Sequence, residues 1–120
     1  MVREFHEKFG HKVSSSAAIP EEAGLRNLRL SLIQEERDEL LVASEEGDIV
    51  GVADALSDLL YVIYGMGHVY GIDLDRCFAE VHRSNMSKLG EDGRPIIRGD
   101  GKILKGPSYS PPDLKVVLGV

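Results

Sequence analysis

The sequence predicts an all-α fold: an antiparallel bundle of four to five helices, followed by a small C-terminal β-hairpin and an extended tail. Three observations carry that expectation. Apolar residues recur at helical spacing over residues 2–89, glycines and capping acids punctuate them at short intervals, and the pattern shifts to alternation with Pro and Gly after Gly90. Short connections between helices favour antiparallel neighbours.

Taken in order, residues 2–9 form a first helix in which Phe5 and Phe9 lie one turn apart and Gly10 supplies the stop. Residues 11–18 read as a loop, because Ser14, Ser15 and Ser16 compete for local backbone hydrogen bonds. Pro20 with Glu21 and Glu22 opens a second helix, since proline tolerates the first turn and acids favour its positive end; Gly47 closes it. Asp48 caps a third helix that runs to Tyr70 and ends at Gly71, and Asp73 caps a fourth that runs to Lys88 or Leu89. Ile96-Ile97-Arg98 and Lys102-Ile103-Leu104 flank Gly99-Asp100-Gly101 as a hairpin. Residues 107–120 carry three of the five prolines and are expected to pack as an extended tail.

With 120 residues, the chain has room for one domain, 1–120, with one small core that association would strengthen. A net charge of -6 argues against a general attraction to nucleic acid or anionic lipid. The lone Cys77 excludes an internal disulfide, which suits a reducing cytosol, and residues 1–10 lack the apolar run of a secretory signal. The third helix is long and apolar enough to span a bilayer, yet Asp54 and Asp58 would each cost roughly 2.5–3.5 kcal/mol near its centre. A buried core helix and a cytoplasmic protein are the expectation, with no membrane and no nucleic acid as partner.

The chemistry is expected where acids interrupt apolar stripes. At about 100° per residue, Leu25, Leu28, Leu32, Leu40 and Ala43 share one side of the second helix, and Glu36 and Glu39 fall within that stripe with Glu35 at its edge. On the third helix Asp54 and Asp58 face the same way, with Tyr61 and Gly65 extending the strip. Like charges so placed need something positive between them, either a metal or an arginine such as Arg29. The fourth helix turns Leu74, Cys77, Phe78 and Val81 inward and Glu80 and Arg83 outward. Continuing its inner face reaches Asn85 and Lys88, an amide and an ammonium suited to phosphate oxygens.

Hard oxygen donors suit Mg²⁺, with Mn²⁺ possible, whereas zinc would recruit histidine or cysteine. None of His6, His11, His68 and His82 has ligand spacing with these acids, and His68 and His82 read as structural. Phe5, His6 and Phe9 border a nucleobase pocket or fill core, with core packing favoured.

The segment Leu32-Ile-Gln-Glu-Glu-Arg-Asp-Glu-Leu40, followed by Val52-Ala-Asp-Ala-Leu-Ser-Asp-Leu-Leu-Tyr-Val62, resembles the MazG-like all-alpha NTP pyrophosphohydrolase superfamily, in its small bacterial and phage form. That superfamily carries E-E-x-x-E on one helix and E-x-x-D on the next. Glu35, Glu36 and Glu39 match the first motif and Asp58 the last acid of the second. Ala55 departs from it, the nearest acid being Asp54. Glu80-Val-His-Arg-Ser-Asn-Met-Ser-Lys-Leu89 resembles the later helix of the subgroup, with Asn85 and Lys88 at its phosphate-approaching positions.

The resemblance implies Mg²⁺-dependent cleavage between the α and β phosphates of a nucleoside triphosphate. It implies Glu36, Glu39, Asp54 and Asp58 as metal ligands, Glu35 or an adjacent acid as the group that takes the water's proton, and Asn85 and Lys88 as substrate ligands. Deoxyuridine or deoxycytidine triphosphate are substrates by family analogy alone. Phosphoribosyl-ATP pyrophosphatase, or a non-catalytic nucleotide-binding module, are the competing readings. A di-iron oxidase would need Glu-x-x-His pairs, and none occurs. Leu30 and Leu41, opposite the carboxylate stripe, point to a homodimer or a dimer of dimers.

Overall fold

The computed structural model describes residues 1–120, whose contacts fall into two compact units, Met1–Ile72 and Asp73–Val120.

In the first unit, α1 (Val2–Phe9) ends at Gly10, whose left-handed backbone (φ 73°) lets its amide reach the His6 carbonyl. The second helix, α2 (Ala23–Glu45), starts three residues later than Pro20 suggested. Arg26 explains the delay. Its Nη1 donates to the carbonyls of Pro20 at 2.6 Å and Glu21 at 2.7 Å, so a guanidinium takes acceptors that helical amides would otherwise use. Helix α3 (Ile49–Tyr70) begins as its sequence predicts, with Asp48 Oδ1 accepting from the Gly51 amide at 3.0 Å, and ends at Gly71 (φ 67°).

Helices α2 and α3 make the main packing of this unit and run antiparallel: Ala43 meets Gly51 at one end and Arg29 meets Gly65 at the other. Helix α1 lies against α3. The loop at 11–18 is strapped over the carboxyl end of α3. Ser14 donates its amide to the His68 carbonyl (2.8 Å) and its hydroxyl to that of Val69 (2.7 Å), and the Ala18 amide donates to Tyr70 (2.9 Å). Carbonyls that the helix end leaves orphaned thus find donors. At Gly71 a side chain would collide with the Ser16 backbone.

Helix α3 is long and apolar enough to cross a membrane, with a mean hydropathy of 1.5, but it packs along α2 and carries Asp54 and Asp58. Ala43, Ala55, Val69 and Tyr70 are the buried apolar residues here, joined by the polar His6 and Arg29. Two expectations fail at this level. Leu28 is half exposed while its neighbour Arg29 is buried, so the inner face of α2 is rotated toward Arg29. Phe9 is exposed and stacks on Phe5, so it does not fill core, whereas His6 does.

In the second unit, α4 (Leu74–Met86) is capped by Asp73, which accepts from the Arg76 amide at 3.2 Å. It stops short of Lys88 because the Ser87 hydroxyl bonds back to the Ser84 carbonyl at 2.6 Å, a local bond that competes with helix continuation. Cys77 is buried as expected, but Phe78 is 76% exposed. Strands β1 (Ile96–Ile97) and β2 (Ile103–Leu104) pair antiparallel, with Ile96 opposite Leu104 and Ile97 opposite Ile103. Asp100 locks the turn by accepting from Arg98 Nη2 (2.6 Å) and the Lys102 amide (3.2 Å).

The tail is not extended throughout: its last residues form α5 (Leu114–Leu118), capped by Asp113 and closed by Gly119. Five residues cannot hold a helix alone. They are tied to α4, where Glu80 Oε1 accepts from the Asp113 amide (2.8 Å) and Arg83 Nη2 donates to the Pro111 carbonyl (3.1 Å). Glu80 and Arg83 therefore do not simply look outward.

Candidate active site

The antiparallel α2–α3 pair sets the acids opposite one another. Glu36 and Glu39 are one turn apart on α2, and one oxygen from each, with one from Asp58 on α3, lie within 4.8 Å of one another. Glu36 is half-buried, whereas Glu39 is exposed. Ala55, at the position where the superfamily pattern has an acid, is 2% exposed, so it packs as core and leaves that corner without a carboxylate.

Glu36 is the electrostatically stressed member. Burial pushes its pKa above the usual carboxylate value, and the charges of Glu39, Asp58 and Asp54 push the same way. Its Oε2 is sealed from solvent and has no hydrogen-bond donor. An arginine does not relieve it, because Arg29 Nη1 instead contacts His6 Nε2 at 3.3 Å and none of the chain's ion pairs involves Glu36, Glu39, Asp54 or Asp58.

A sealed acceptor without a donor, convergent carboxylates and no histidine or cysteine are what a hard divalent cation requires. Ligand oxygens in an octahedral Mg²⁺ shell sit about 3 to 4.2 Å apart, given bonds of about 2.0–2.1 Å. The three carboxylates fit such an ion with small side-chain adjustments.

Of the remaining sequence-predicted residues, Glu35 and Asp54 belong to the first unit, and Asn85 and Lys88 to the second. Glu35 is exposed on α2 and outside the cluster. Asp54 is also outside it, yet its charge reaches Glu36, and with Glu39 it borders a shallow groove continued by Val42 and Gly51. Asn85 is exposed in the last turn of α4, and Lys88 is half-buried just beyond, its carbonyl accepting from the Gly106 amide at 2.9 Å.

At the other end of the α2–α3 strip, Arg29, which the sequence offered as a partner for the acids, is buried against His6 instead, a pairing that sequence reasoning missed. Arg29 stands seven residues before Glu36 and Gly65 seven after Asp58, so both lie on the faces that carry the acids. That spacing was the available signal. Around them, the Phe5 ring meets Tyr61 edge-on with centroids 5.7 Å apart.

Comparison with known proteins gives the family. Residues 2–85 match the family model described as phosphoribosyl-ATP pyrophosphohydrolase. An uncharacterized protein of Acanthamoeba polyphaga mimivirus is 37% identical over 97 residues, 78% of this chain, and the chain spans 36% of that relative's length. A crystal structure from Exiguobacterium sp. 255-15, described provisionally as an NTP pyrophosphohydrolase, matches with a TM-score of 0.54 and 27% identity, over 97% of this chain and 89% of that one. The chain therefore belongs to the phosphoribosyl-ATP pyrophosphohydrolase family, within the MazG-like all-alpha NTP pyrophosphohydrolase superfamily.

Proposed function

We propose that residues 1–120 act as one Mg²⁺-dependent nucleoside triphosphate pyrophosphohydrolase domain, splitting the α–β phosphoanhydride into a nucleoside or deoxynucleoside monophosphate and pyrophosphate in cytoplasmic nucleotide-pool sanitation. The observation that carries the reading is the convergence of Glu36, Glu39 and Asp58, one of which, Glu36, has a sealed oxygen without a hydrogen-bond partner.

In this reading Glu36, Glu39 and Asp58 hold Mg²⁺, or Mn²⁺, and Asp54 adds to the negative field from one turn away. The ion, when bound, supplies the positive charge that a triphosphate needs and polarises its phosphoryl oxygens. Glu35, exposed beside the cluster, takes the proton of the attacking water as the new P–O bond forms, and the anhydride oxygen leaves with pyrophosphate. Asn85 and Lys88 are assigned as phosphate ligands, the amide orienting an oxygen and the ammonium offsetting charge.

The assay is pyrophosphate release from a panel of common and modified triphosphates with Mg²⁺, with deoxyuridine and deoxycytidine triphosphate included. Glu39→Gln should abolish turnover while the helical circular dichroism stays unchanged; full activity in that variant refutes the assignment. Phosphoribosyl-ATP belongs in the same panel, because the matching family model carries that substrate in its description. Exclusive turnover of phosphoribosyl-ATP would favour the second reading, and no turnover of any compound a non-catalytic module.

We also assign a second copy of the chain as the partner that covers α2. Leu30 and Leu41, expected opposite the acids, are 54% and 50% exposed, and Leu60 on α3 is 59% exposed. A homodimer or dimer of dimers is the expected sedimenting species at micromolar concentration, and a monomer alone would overturn it.

A further inference from the structure

His6 and Arg29 form a buried contact whose chemistry admits only one charge. His6 is 2% and Arg29 4% exposed. The His6 Nδ1 lies 3.0 Å from the Lys12 carbonyl, which only accepts, so Nδ1 carries the ring hydrogen. Its Nε2 lies 3.3 Å from Arg29 Nη1, which only donates, so Nε2 must present a lone pair. The two partners thus fix a neutral imidazole.

The charges that act on His6 would not compensate a second positive charge, since all of them are cationic. The groups facing His6 are Arg29 from α2, His68 from α3 with ring centroids 5.9 Å away, and His11 from the loop at 5.1 Å. The carboxylates of α1 are engaged at the surface, Glu7 with Arg3 and Glu4 with Lys8. Space is also fixed, since a Cβ on Gly65 would come within 2.9 Å of both His6 Nε2 and Arg29 Nη1. A protonated His6 would press one N–H against another with no room to turn aside.

We propose that α1 is a proton-sensitive latch: neutral His6 holds the helix against Arg29 and Gly65, and protonation of His6 releases it. Release is local, because the strap at Ser14 and Ala18 keeps its own hydrogen bonds to the carbonyls of His68, Val69 and Tyr70, leaving residues 10–13 to hinge. The released helix withdraws Phe5 from Tyr61, which stands one turn from Asp58, and opens the Arg29 guanidinium to water.

Burial lowers the His6 pKa below its ordinary 6.5; the Lys12 carbonyl opposes this, and the charges of Arg29, His11 and His68 reinforce it. A depressed histidine pKa means the released state binds more protons. Docking is therefore complete above pH 6.5 and is lost as pH falls through the depressed value.

The experiment is NMR of the metal-free full chain between pH 7.5 and 4.5, following the His6 ring and the Phe5–Tyr61 cross-relaxation. The cross-peaks should vanish with the midpoint of His6, below pH 6.5, while the Ser14 and Ala18 amides keep their shifts. His6→Gln, which accepts from Arg29 and donates to Lys12 without titrating, should keep the cross-peaks throughout. Arg29→Gln removes the opposing cation and should move the midpoint upward, which decides the matter even if His6→Gln fails to fold. Cross-peaks that survive the titration of His6, or vanish at the same pH in His6→Gln, or an unmoved midpoint in Arg29→Gln, would overturn the latch. Any effect on turnover rests on the hydrolase reading, but this measurement does not, so the two fail separately.

Discussion

Glu36→Gln should stabilise the metal-free protein and abolish its response to Mg²⁺, a crossover that separates a metal ligand from a structural acid. In the metal-free chain Glu36 faces Glu39 and Asp58 with oxygens no more than 4.8 Å apart and no cation between them. A unit-charge pair at that distance repels by about 3.5 kcal/mol at an effective dielectric of 20 and about 0.9 kcal/mol in water. Glu39 is exposed, so the lower figure applies, and the neutral amide should gain about 1 kcal/mol, or roughly 3–6 °C in Tm for a chain of this size. Wild type should instead gain about 2.7 kcal/mol when Mg²⁺ is raised to about 100 times its Kd.

The pH dependence carries the same sign. Glu36 binds its proton more tightly folded than unfolded, so its contribution to metal-free stability is present below the ordinary carboxylate pKa of 4.5 and is lost as pH rises through its raised value. Mg²⁺ affinity should strengthen over the same interval as the ligand ionises. Thermal melts in chelator and in Mg²⁺, across pH 4 to 8, measure both. A Glu36→Gln protein that melts lower than wild type in chelator, or that still gains from Mg²⁺, would refute the reasoning.

Two further outcomes concern the packing that frames the site. Gly65→Ala should cost about 1–3 kcal/mol in denaturant unfolding, because its Cβ would press on the buried His6–Arg29 contact at 2.9 Å; unchanged stability would mean that contact yields freely. In the second unit, the Arg83 guanidinium and the Asp113 amide hold the Glu80 carboxyl down to about 2. Its contribution is thus full above pH 4.5 and lost as pH falls through about 2, and hydrogen exchange over Leu114–Leu118 should rise there. Glu80→Gln should show that faster exchange at neutral pH, and equal protection would discount the clasp.

What the sequence made legible was what local chemistry decides. Asp48 and Asp73 cap the helices they were expected to cap, Gly71 ends α3, and the hairpin forms around Gly99-Asp100-Gly101. Each depends on a few consecutive residues. The α5 helix carried the same punctuation, Asp113 ahead of an apolar run and Gly119 behind it, and was obscured by the prolines preceding it. The start of α2 was misplaced because Arg26, not a neighbouring amide, takes the carbonyls of Pro20 and Glu21.

The site divides along the same line. Helical spacing alone aligns Glu36 with Glu39 and Asp54 with Asp58, and antiparallel packing does the rest. Spacing also aligns Arg29 with Glu36 and Gly65 with Asp58, but it cannot say which polar residue on a shared face meets water and which is sealed. That depends on what lies over each end of the α2–α3 pair. At one end Glu39 stays open to solvent; at the other, α1 covers Arg29 with His6. A guanidinium buried beneath a neutral imidazole, without a carboxylate, is costly. Release of α1 would relieve that cost, which arises from a long-range contact that periodicity could not supply.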